Sequence, residues 1–201
     1  MRALVAGALL GATMLGFAAP ARAAEDGPAT ATIAQAAAAL APNRYVWTDP
    51  LAQAVDPVTQ PVTVVISLPM QRAYVYRGDT MIAAASVSTG RDGKDTPVGI
   101  FPILQKREMH RSNLYNDAPM PFMQRLTWDG VALHAGKNPG FPDSHGCIRL
   151  PASFARKLFA ITAIGTNVVV TDEMVGEHLD PMLLQTDAMR ANQTQLASTA
   201  G

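Results

Sequence analysis

The sequence predicts a mainly β fold with one or two short helices, and three observations support that prediction. Segments rich in β-branched and apolar residues recur between turn residues, as in VTVVISL at 62–68 and RAYVYR at 72–77. Glycine and proline contribute 15 residues each to a chain of 201, without the triplet repeat of collagen. An Asp-Gly pair at 129–130, a strong hairpin signal, separates two further apolar segments, 126–128 and 131–135.

Further strands follow from the same pattern. Residues 81–88 come after a Gly-Asp turn at 78–79 and are predicted to complete a meander with the first two strands. A last strand is predicted at 168–171, where three valines precede a threonine. Prolines and a glycine interrupt the segment 96–104. The excursion at 105–123 carries few periodic signals, and a long loop in a compact domain often forms a lid or a binding loop.

The predicted helices are both short. An Ala-rich segment at 33–40 has high helix propensity and stops before a Pro-Asn pair. The second helix is predicted to start at Pro151, because proline is favoured as the first helical residue. Its apolar face consists of Phe154, Leu158 and Phe159, which recur at helical spacing.

The chain is predicted to divide into four parts. These are a signal peptide at 1–23, a leader at 24–59, a folded domain at 60–172, and a C-terminal helix or flexible tail at 173–201. The leader is predicted to be a linker, and Trp47 and Leu51 are the side chains that could hold it against the domain. The tail composition at 191–201 is polar and small, as is usual for a chain terminus.

Residues 1–23 have the three parts of a secretory signal peptide. Arg2 gives a positive start, an uncharged apolar segment follows, and Ala-Arg-Ala at 21–23 forms an A-x-A cleavage site. A membrane anchor is the alternative, but the apolar segment is short for a span and ends in small residues that favour cleavage. We therefore expect export, with a bacterial periplasm as the location and no membrane span after the signal is removed.

The charge and cysteine content exclude several classes of partner and site. Lys plus Arg and Asp plus Glu number 16 each, so no cationic excess is available for nucleic acid or an anionic membrane surface. The single cysteine excludes an intramolecular disulfide framework and a four-thiolate metal site. A lone thiol in an exported protein is either buried or used in chemistry.

That cysteine lies in the segment LHAGKNPGFPDSHGCIRLP at 133–151, together with two of the four histidines. Cys147 is a nucleophile only as the thiolate, and His134 at a strand end is a suitable base for its proton. Gly146 lacks a side chain, so the loop can direct the N–H groups of Gly146 and Cys147 at a developing oxyanion. Arg149 is a fixed cation that could hold a substrate carboxylate.

Other interpretations of these residues remain open at this stage. Cys147 could be a small buried apolar residue, and together with His134 and His145 it could bind zinc, although His-x-Cys is a cramped chelate without a fourth ligand nearby. Arg149 could pair with Asp143 instead of a substrate. Ser144 is expected first of all to cap its loop.

Seven side chains outside this segment are also assigned expectations. His110 and His178 lie in polar, irregular sequence and are expected to be solvated. Trp128 and Phe122 could line a substrate groove, but core packing is the stronger expectation. Met109, Met120 and Met123 could form an adaptable lid or could simply be scattered packing residues.

The sequence resembles the L,D-transpeptidase catalytic domain, also called the YkuD family, over about residues 60–172. The family motif of a histidine, a spacer and Ser/Thr-His-Gly-Cys is matched by His134 and by Ser144-His145-Gly146-Cys147-Ile148-Arg149. Residues 62–90 resemble the opening strands, and TPVGIF at 96–101 resembles the Thr-Pro-x-Gly-x-Phe element. The chain departs from the family in having Ala135 after the histidine and in its short spacer, which suggests a trimmed loop over the site.

This resemblance implies a β-sandwich domain and acyl transfer from peptidoglycan stem peptides, without a metal or organic cofactor. Cys147 would attack the carbonyl at the L-centre of a stem diamino acid and release the terminal D-alanine. An amine of a neighbouring stem would then take the acyl group and form a 3→3 cross-link. His134 would be the proton acceptor and donor, Gly146 a backbone oxyanion donor and Arg149 a substrate contact, with supporting roles for Ser144 and His145.

The resemblance leaves the acyl acceptor open. The same thioester could be discharged to water by an L,D-carboxypeptidase, or to an amine that attaches an envelope protein to the wall. A wall-binding module without activity is the alternative outside the enzymes. The family also implies acylation of Cys147 by carbapenems.

Overall fold

Two β-sheets and two helices make up the described part of the chain, residues 32–48, 60–113 and 115–175 of a computed structural model. The sequence predictions that lie outside the described residues are the signal peptide at 1–23, the leader at 24–31 and 49–59 with Leu51, and the tail from 176 with His178. Among the described residues, no helix has the length and apolar character needed to span a membrane.

The structure contains two helices and ten strands in its described residues. In chain order they are α1 (Ile33–Ala38), β1 (Tyr45–Trp47), β2 (Val62–Ser67), β3 (Arg72–Arg77), β4 (Thr80–Ser86), β5 (Gly99–Pro102), β6 (Gln105–Arg107), β7 (Met123–Arg125), β8 (Ala132–Ala135), β9 (Ile148–Leu150), α2 (Ala152–Ile161) and β10 (Asn167–Thr171). The mainly β prediction with two short helices is therefore confirmed.

The larger sheet has six strands in the order β1-β4-β3-β2-β10-β5. Strands β2, β3 and β4 form the predicted antiparallel meander. Strand β10 lies between β2, to which it is parallel, and β5, to which it is antiparallel. The last strand of the domain is thus an interior strand of the sheet.

Both faces of this sheet are covered, which explains why VTVVIS has apolar residues at successive positions. Val64 and Ile66 face a core cluster that also contains Phe154 of α2. Val65 faces the opposite way, into a second cluster with Tyr74 and with Ala37 of α1. The alternation of side chains along β2 therefore serves two cores instead of one core and solvent.

The smaller sheet has four short strands in the order β6-β7-β8-β9, antiparallel except for the parallel pair β8 and β9. The predicted hairpin at Asp129-Gly130 is present, but its first strand is β7, three residues before the expected segment 126–128. Trp128 lies in the turn with 76% of its surface exposed, so the expectation of core packing is wrong for this residue. Phe122 packs against the core and its ring contacts Phe159.

The leader contributes directly to the folded domain. Strand β1 pairs with β4, and the rings of Tyr45 and Trp47 lie 5.7 and 5.5 Å from that of Phe154. The guanidinium of Arg72 donates to the carbonyls of Ala37 and Leu40 and so holds the C-terminal end of α1. Trp47 therefore anchors the leader, as the sequence suggested.

Helix α2 lies beside the smaller sheet and begins one residue later than predicted, because Pro151 is its N-cap. Phe154 and Leu158 are buried, whereas Phe159 is half-buried. The ammonium of Lys106 in β6 donates to the carbonyls of Phe159 and Thr162 and so satisfies acceptors at the helix C-terminus. This contact joins α2 to the smaller sheet.

Candidate active site

The parallel pairing of β8 with β9 brings together the two halves of the predicted site. The register places Leu133 opposite Ile148 and His134 opposite Arg149. As register partners, His134 and Arg149 lie on one face of the sheet, and Cys147 directly precedes β9, two residues before Arg149. Both the nucleophile candidate and the base candidate line one cavity of about 410 Å³. The other predicted site residues that line it are Ser144, His145 and Arg149.

Cys147 is half-buried at the base of this cavity. Its thiol donates to the carbonyl of Gly130 at 3.5 Å and packs beside Met120 and Met123. Burial raises the pKa of the Cys147 thiol, and this effect exceeds the opposing one of a hydrogen bond from Ala132. The resting nucleophile is therefore a neutral thiol at neutral pH, and it needs a base when it reacts.

His134 is in a protonation state and tautomer that can act as this base. Only 8% of the residue is exposed, and its Nδ1 lies 2.8 Å from the carbonyl of Ala135. A carbonyl oxygen accepts only, so Nδ1 carries the proton and Nε2 of the neutral ring keeps a free lone pair. Burial lowers the pKa of His134 despite the opposing carbonyl hydrogen bond, and the positive charge of Arg149 lowers it further.

Ser144 caps the loop that carries the cysteine. Its hydroxyl donates to the carbonyl of Cys147 at 2.5 Å and accepts from the N–H of Gly146 at 3.1 Å. The N–H of Gly146 therefore donates to the hydroxyl of Ser144, two residues before it. It is not free to donate to an oxyanion, contrary to the sequence prediction. Gly146 has φ +111°, a conformation that favours glycine. Among the described residues, the N–H of Cys147 donates to no protein acceptor.

Arg149 pairs with a carboxylate of its own loop. Its guanidinium lies 3.0 Å from Asp143, and the two side chains are 22% and 43% exposed. Arg149 therefore pairs with Asp143, as the structural interpretation expects, and also lines the cavity.

His145 lies at the exposed rim of the cavity. Its ring stacks on Tyr115, with centroids 4.5 Å apart and planes inclined by 29°. Arg91 lies 3.0 Å from Nε2, so this nitrogen is the acceptor. Desolvation and the positive charges of Arg91 and Arg149 lower the pKa of His145. This ring supports the rim, since its Nε2 already serves Arg91.

The excursion at 105–123 supplies one wall of the cavity. It folds back on itself: Met120 donates its N–H to the carbonyl of His110, and Arg111 pairs with Asp117 at 3.0 Å. His110 is half-buried and lines the cavity, so the expectation of a solvated side chain is wrong. The length of the excursion is the one sequence signal that could have indicated these contacts.

Arg125 is a cavity residue that the sequence did not single out. It lies in β7, its Nε donates to Gln105 at 3.2 Å, and it lines the same cavity as Cys147. Its charge opposes the effect of burial on the pKa of Cys147. The alternative of a zinc site gains no support, since the described residues hold no group of three or more His, Cys, Asp or Glu placed to bind a metal ion.

Comparison with protein families decides the relationship. The family model of the L,D-transpeptidase catalytic domain, YkuD, matches residues 61–170. The chain belongs to the L,D-transpeptidase catalytic domain family. This match covers more than half of the chain and includes His134, Thr96 and the whole 144–149 motif.

Solved structures of L,D-transpeptidases have a similar fold. A structure from Stackebrandtia nassauensis is 28% identical, with a TM-score of 0.52 and coverage of 57% of each chain. One from Xylanimonas cellulosilytica is 25% identical, with a TM-score of 0.51 and coverage of 56% of this chain and 61% of that one. L,D-transpeptidase 3 from Mycobacterium tuberculosis, solved with a faropenem-derived adduct, is 21% identical, with a TM-score of 0.51 and coverage of 56% and 60%.

These similarities concern part of each molecule. The chain spans about three fifths of the length of these solved structures. The search of curated proteins found no match.

Proposed function

We propose that this protein is a periplasmic L,D-transpeptidase that cross-links peptidoglycan during cell-wall biogenesis and remodelling. The observation that carries the proposal is that His134 in β8 and Cys147, immediately before the paired strand β9, line the same cavity. Family membership supports the reaction class. Export is supported by the sequence of residues 1–23.

The first half-reaction forms a thioester and releases the terminal D-alanine of a stem tetrapeptide. Nε2 of His134 accepts the thiol proton while Sγ of Cys147 attacks the carbonyl carbon at the L-centre of the stem diamino acid. The C–N bond of the tetrahedral intermediate then breaks, and His134 returns the proton to the leaving D-alanine nitrogen. The acyl group remains on Cys147.

In the second half-reaction an amine of a neighbouring stem attacks the thioester. His134 accepts a proton from this amine, the C–S bond breaks, and a 3→3 amide cross-link forms. Sγ recovers a proton from His134, so the enzyme returns to its starting state. No metal ion or organic cofactor enters either step.

The neutral resting state of the pair has a consequence for catalysis. Burial raises the pKa of Cys147 and lowers the pKa of His134, so both neutral forms are favoured. His134 therefore has to take the thiol proton in the course of the reaction. A substrate that excludes water from the cavity would strengthen the hydrogen bonds to the developing oxyanion.

The cavity lining suits an anionic peptide. Arg125, Lys137 and Arg149 line it together with one acidic residue, Asp129. Stem peptides carry free carboxylates, which guanidinium groups bind through charge-assisted hydrogen bonds. Arg149 is partly neutralised by Asp143, so Arg125 is the cation better placed to hold a substrate carboxylate.

The test is mass spectrometry of the purified domain after incubation with a carbapenem and, separately, with a tetrapeptide-bearing muropeptide. We expect a covalent adduct on the peptide that contains Cys147, and none in Cys147→Ala. Cross-linked muropeptide dimers would identify the transpeptidase, whereas trimmed monomers without dimers would identify an L,D-carboxypeptidase. Transfer to an amine of an envelope protein would identify an attachment enzyme. No adduct from either compound would overturn the proposal.

A further inference from the structure

The segment 89–96 lies against the loop that carries Cys147 and is bonded to it at Thr89, Arg91 and Thr96. The carbonyl of Thr89 accepts the N–H groups of Asp143 and Ser144 at 3.1 and 3.0 Å. Arg91 donates its N–H to the carbonyl of Ser144 at 3.1 Å. The catalytic loop is therefore held from outside the cavity as well as from within.

Of the bonds that segment 89–96 makes with the cysteine loop, the bond from Thr96 is the nearest to Cys147 along the chain. Only 4% of Thr96 is exposed, and its hydroxyl lies 2.8 Å from the carbonyl of Gly146. The same hydroxyl accepts the N–H of Gly90 at 2.9 Å. Since the Gly90 N–H only donates and the Gly146 carbonyl only accepts, the direction of both bonds is fixed.

Position 90 has no room for a side chain. A Cβ there would come within 2.0 Å of the carbonyl oxygen of Lys94 and 2.7 Å of the nitrogen of Thr96. The turn that presents the Thr96 hydroxyl is therefore closed against backbone atoms, and the hydroxyl has little freedom to move. This rigidity is what a positioning contact requires.

The bond to Gly146 also fixes the N–H of the cysteine. The described peptide bonds are all trans, so the Gly146 carbonyl and the Cys147 N–H lie in one plane and point in opposite directions. Holding the carbonyl towards Thr96 therefore holds the N–H away from it. The N–H of Gly146 is taken by Ser144, which leaves that of Cys147 as the donor of this pair without a protein acceptor among the described residues.

We propose that Thr96 is a positioning residue that aligns the Cys147 N–H with the oxyanion of the tetrahedral intermediate. It acts through the Gly146–Cys147 peptide and does not touch the substrate. The inference rests on the proposed acyl transfer, because only that reaction develops an oxyanion at this place. The inference predicts that reactions of Cys147 that pass through a tetrahedral oxyanion depend on Thr96. Alkylation of Sγ, which forms no oxyanion, does not depend on it.

Two reagents separate these steps on the same sulfur. A carbapenem acylates Cys147 through a tetrahedral intermediate, whereas iodoacetamide alkylates it by displacement at a saturated carbon. The variants are Thr96→Val, which keeps the shape and loses the hydroxyl, and Thr96→Ser, which keeps the hydroxyl. Thr162→Val is the matched control, because it removes a buried hydroxyl that bonds Leu158 and Gln124 beside α2. Folding of each variant is verified by near-UV circular dichroism.

For Thr96→Val we expect carbapenem acylation to slow by about 10- to 100-fold, somewhat less than removing an oxyanion donor outright. Alkylation should continue at the wild-type rate, Thr96→Ser should restore acylation, and Thr162→Val should change neither rate. Equal loss of acylation and alkylation in Thr96→Val, or loss of neither, would overturn the inference. Thr96→Ala is read in the same way if the valine variant does not fold. Failure of both to fold beside a folded Thr162→Val would assign Thr96 a structural role and also overturn it.

The same experiment distinguishes failure of the proposed function. If wild-type protein is alkylated at Cys147 but never acylated, the transfer reaction itself is wrong, and the positioning role is lost with it. If wild type is acylated and Thr96→Val equals it, only the positioning role fails.

Discussion

The two sheets of this molecule differ in what covers them. The larger sheet has apolar clusters on both faces, and its central strands run for five to seven residues. The smaller sheet has strands of three or four residues, and His134 in β8 borders a cavity together with Cys147, which directly precedes β9. A fully packed sheet supplies stability, whereas a sheet with one open face can hold reactive groups at partial burial. Substitutions should therefore act on stability in the first and on chemistry in the second.

The largest effect should come from Cys147→Ala. Without Sγ no thioester forms, so carbapenem and tetrapeptide adducts should both disappear from the mass spectrum. The side chain is half-buried beside Met123 and the change is small, so the free energy of unfolding should change by less than about 1 kcal/mol. A stable, fully active Cys147→Ala protein would contradict the mechanism, and a large loss of stability would contradict the division between the sheets.

His134→Gln should come next. Glutamine offers hydrogen bonds but no base near neutral pH, so we expect acylation to slow by about 10²- to 10⁴-fold. Stopped-flow measurement of carbapenem acylation gives this rate. His110→Gln is the matched control, since His110 lines the same cavity on the excursion. Equal effects of the two substitutions would remove the special role of His134.

Phe154→Ala tests the apolar cluster in which α2 packs against Val64 and Ile66 of the larger sheet. This ring is fully buried and contacts both Tyr45 and Trp47, so we expect a loss of about 3–5 kcal/mol in the free energy of unfolding. The acylation rate per folded molecule should stay at the wild-type value. Chemical denaturation and active-site titration measure the two quantities. Trp128→Ala, at an exposed turn, should change neither, and it serves as the control.

The pH dependence tests the neutral resting pair. Acylation requires unprotonated His134, so the rate should rise with pH through a pKa below the ordinary value of about 6.5. Because burial raises the pKa of Cys147, iodoacetamide should react faster only as pH passes above the ordinary thiol value of about 8.5. Fast alkylation that is independent of pH below neutrality would instead indicate a thiolate–imidazolium pair.

The smallest effect is expected for Tyr115→Leu. The stack on His145 is exposed, and an aromatic pair contributes about 0.5–1.5 kcal/mol beyond its area burial. We therefore expect a rise of a few-fold in KM for a muropeptide with little change in kcat. A large fall in kcat would show that the rim of the cavity takes part in the chemistry.

The sequence predicted the larger sheet better than the smaller one. Strands β2, β3, β4 and β10 have continuous apolar or β-branched residues, and burial on both faces makes that pattern visible. Strand β5 was obscured by Gly99 and Pro102, which the edge of the sheet tolerates. Strands β1 and β6 have only three residues, too few for a period to emerge.

Some residues of the candidate site were also predictable from the sequence, and others were not. His134 and Cys147 were recognisable because their residue types have specific chemistry and a specific spacing, and the structure places both at one cavity. Tyr115 and His110 were not, because they reach the cavity only through the folding of the excursion, and Arg125 was not, because it reaches the cavity through the pairing of β7 with β8. The bond from Thr96 to Gly146 joins residues 50 positions apart, and no local pattern encodes it.

The interior position of β10 also affects how synthesis and folding are ordered. Residues 167–171 separate β2 from β5, and all three strands must pair before the larger sheet is continuous. A nascent chain that ends before residue 171 therefore exposes two unpaired strand edges, which are sites for aggregation or for binding by a chaperone. The larger sheet completes its hydrogen bonding only after residues 167–171 have been made, so its interior strand is also the last of its strands to be synthesised.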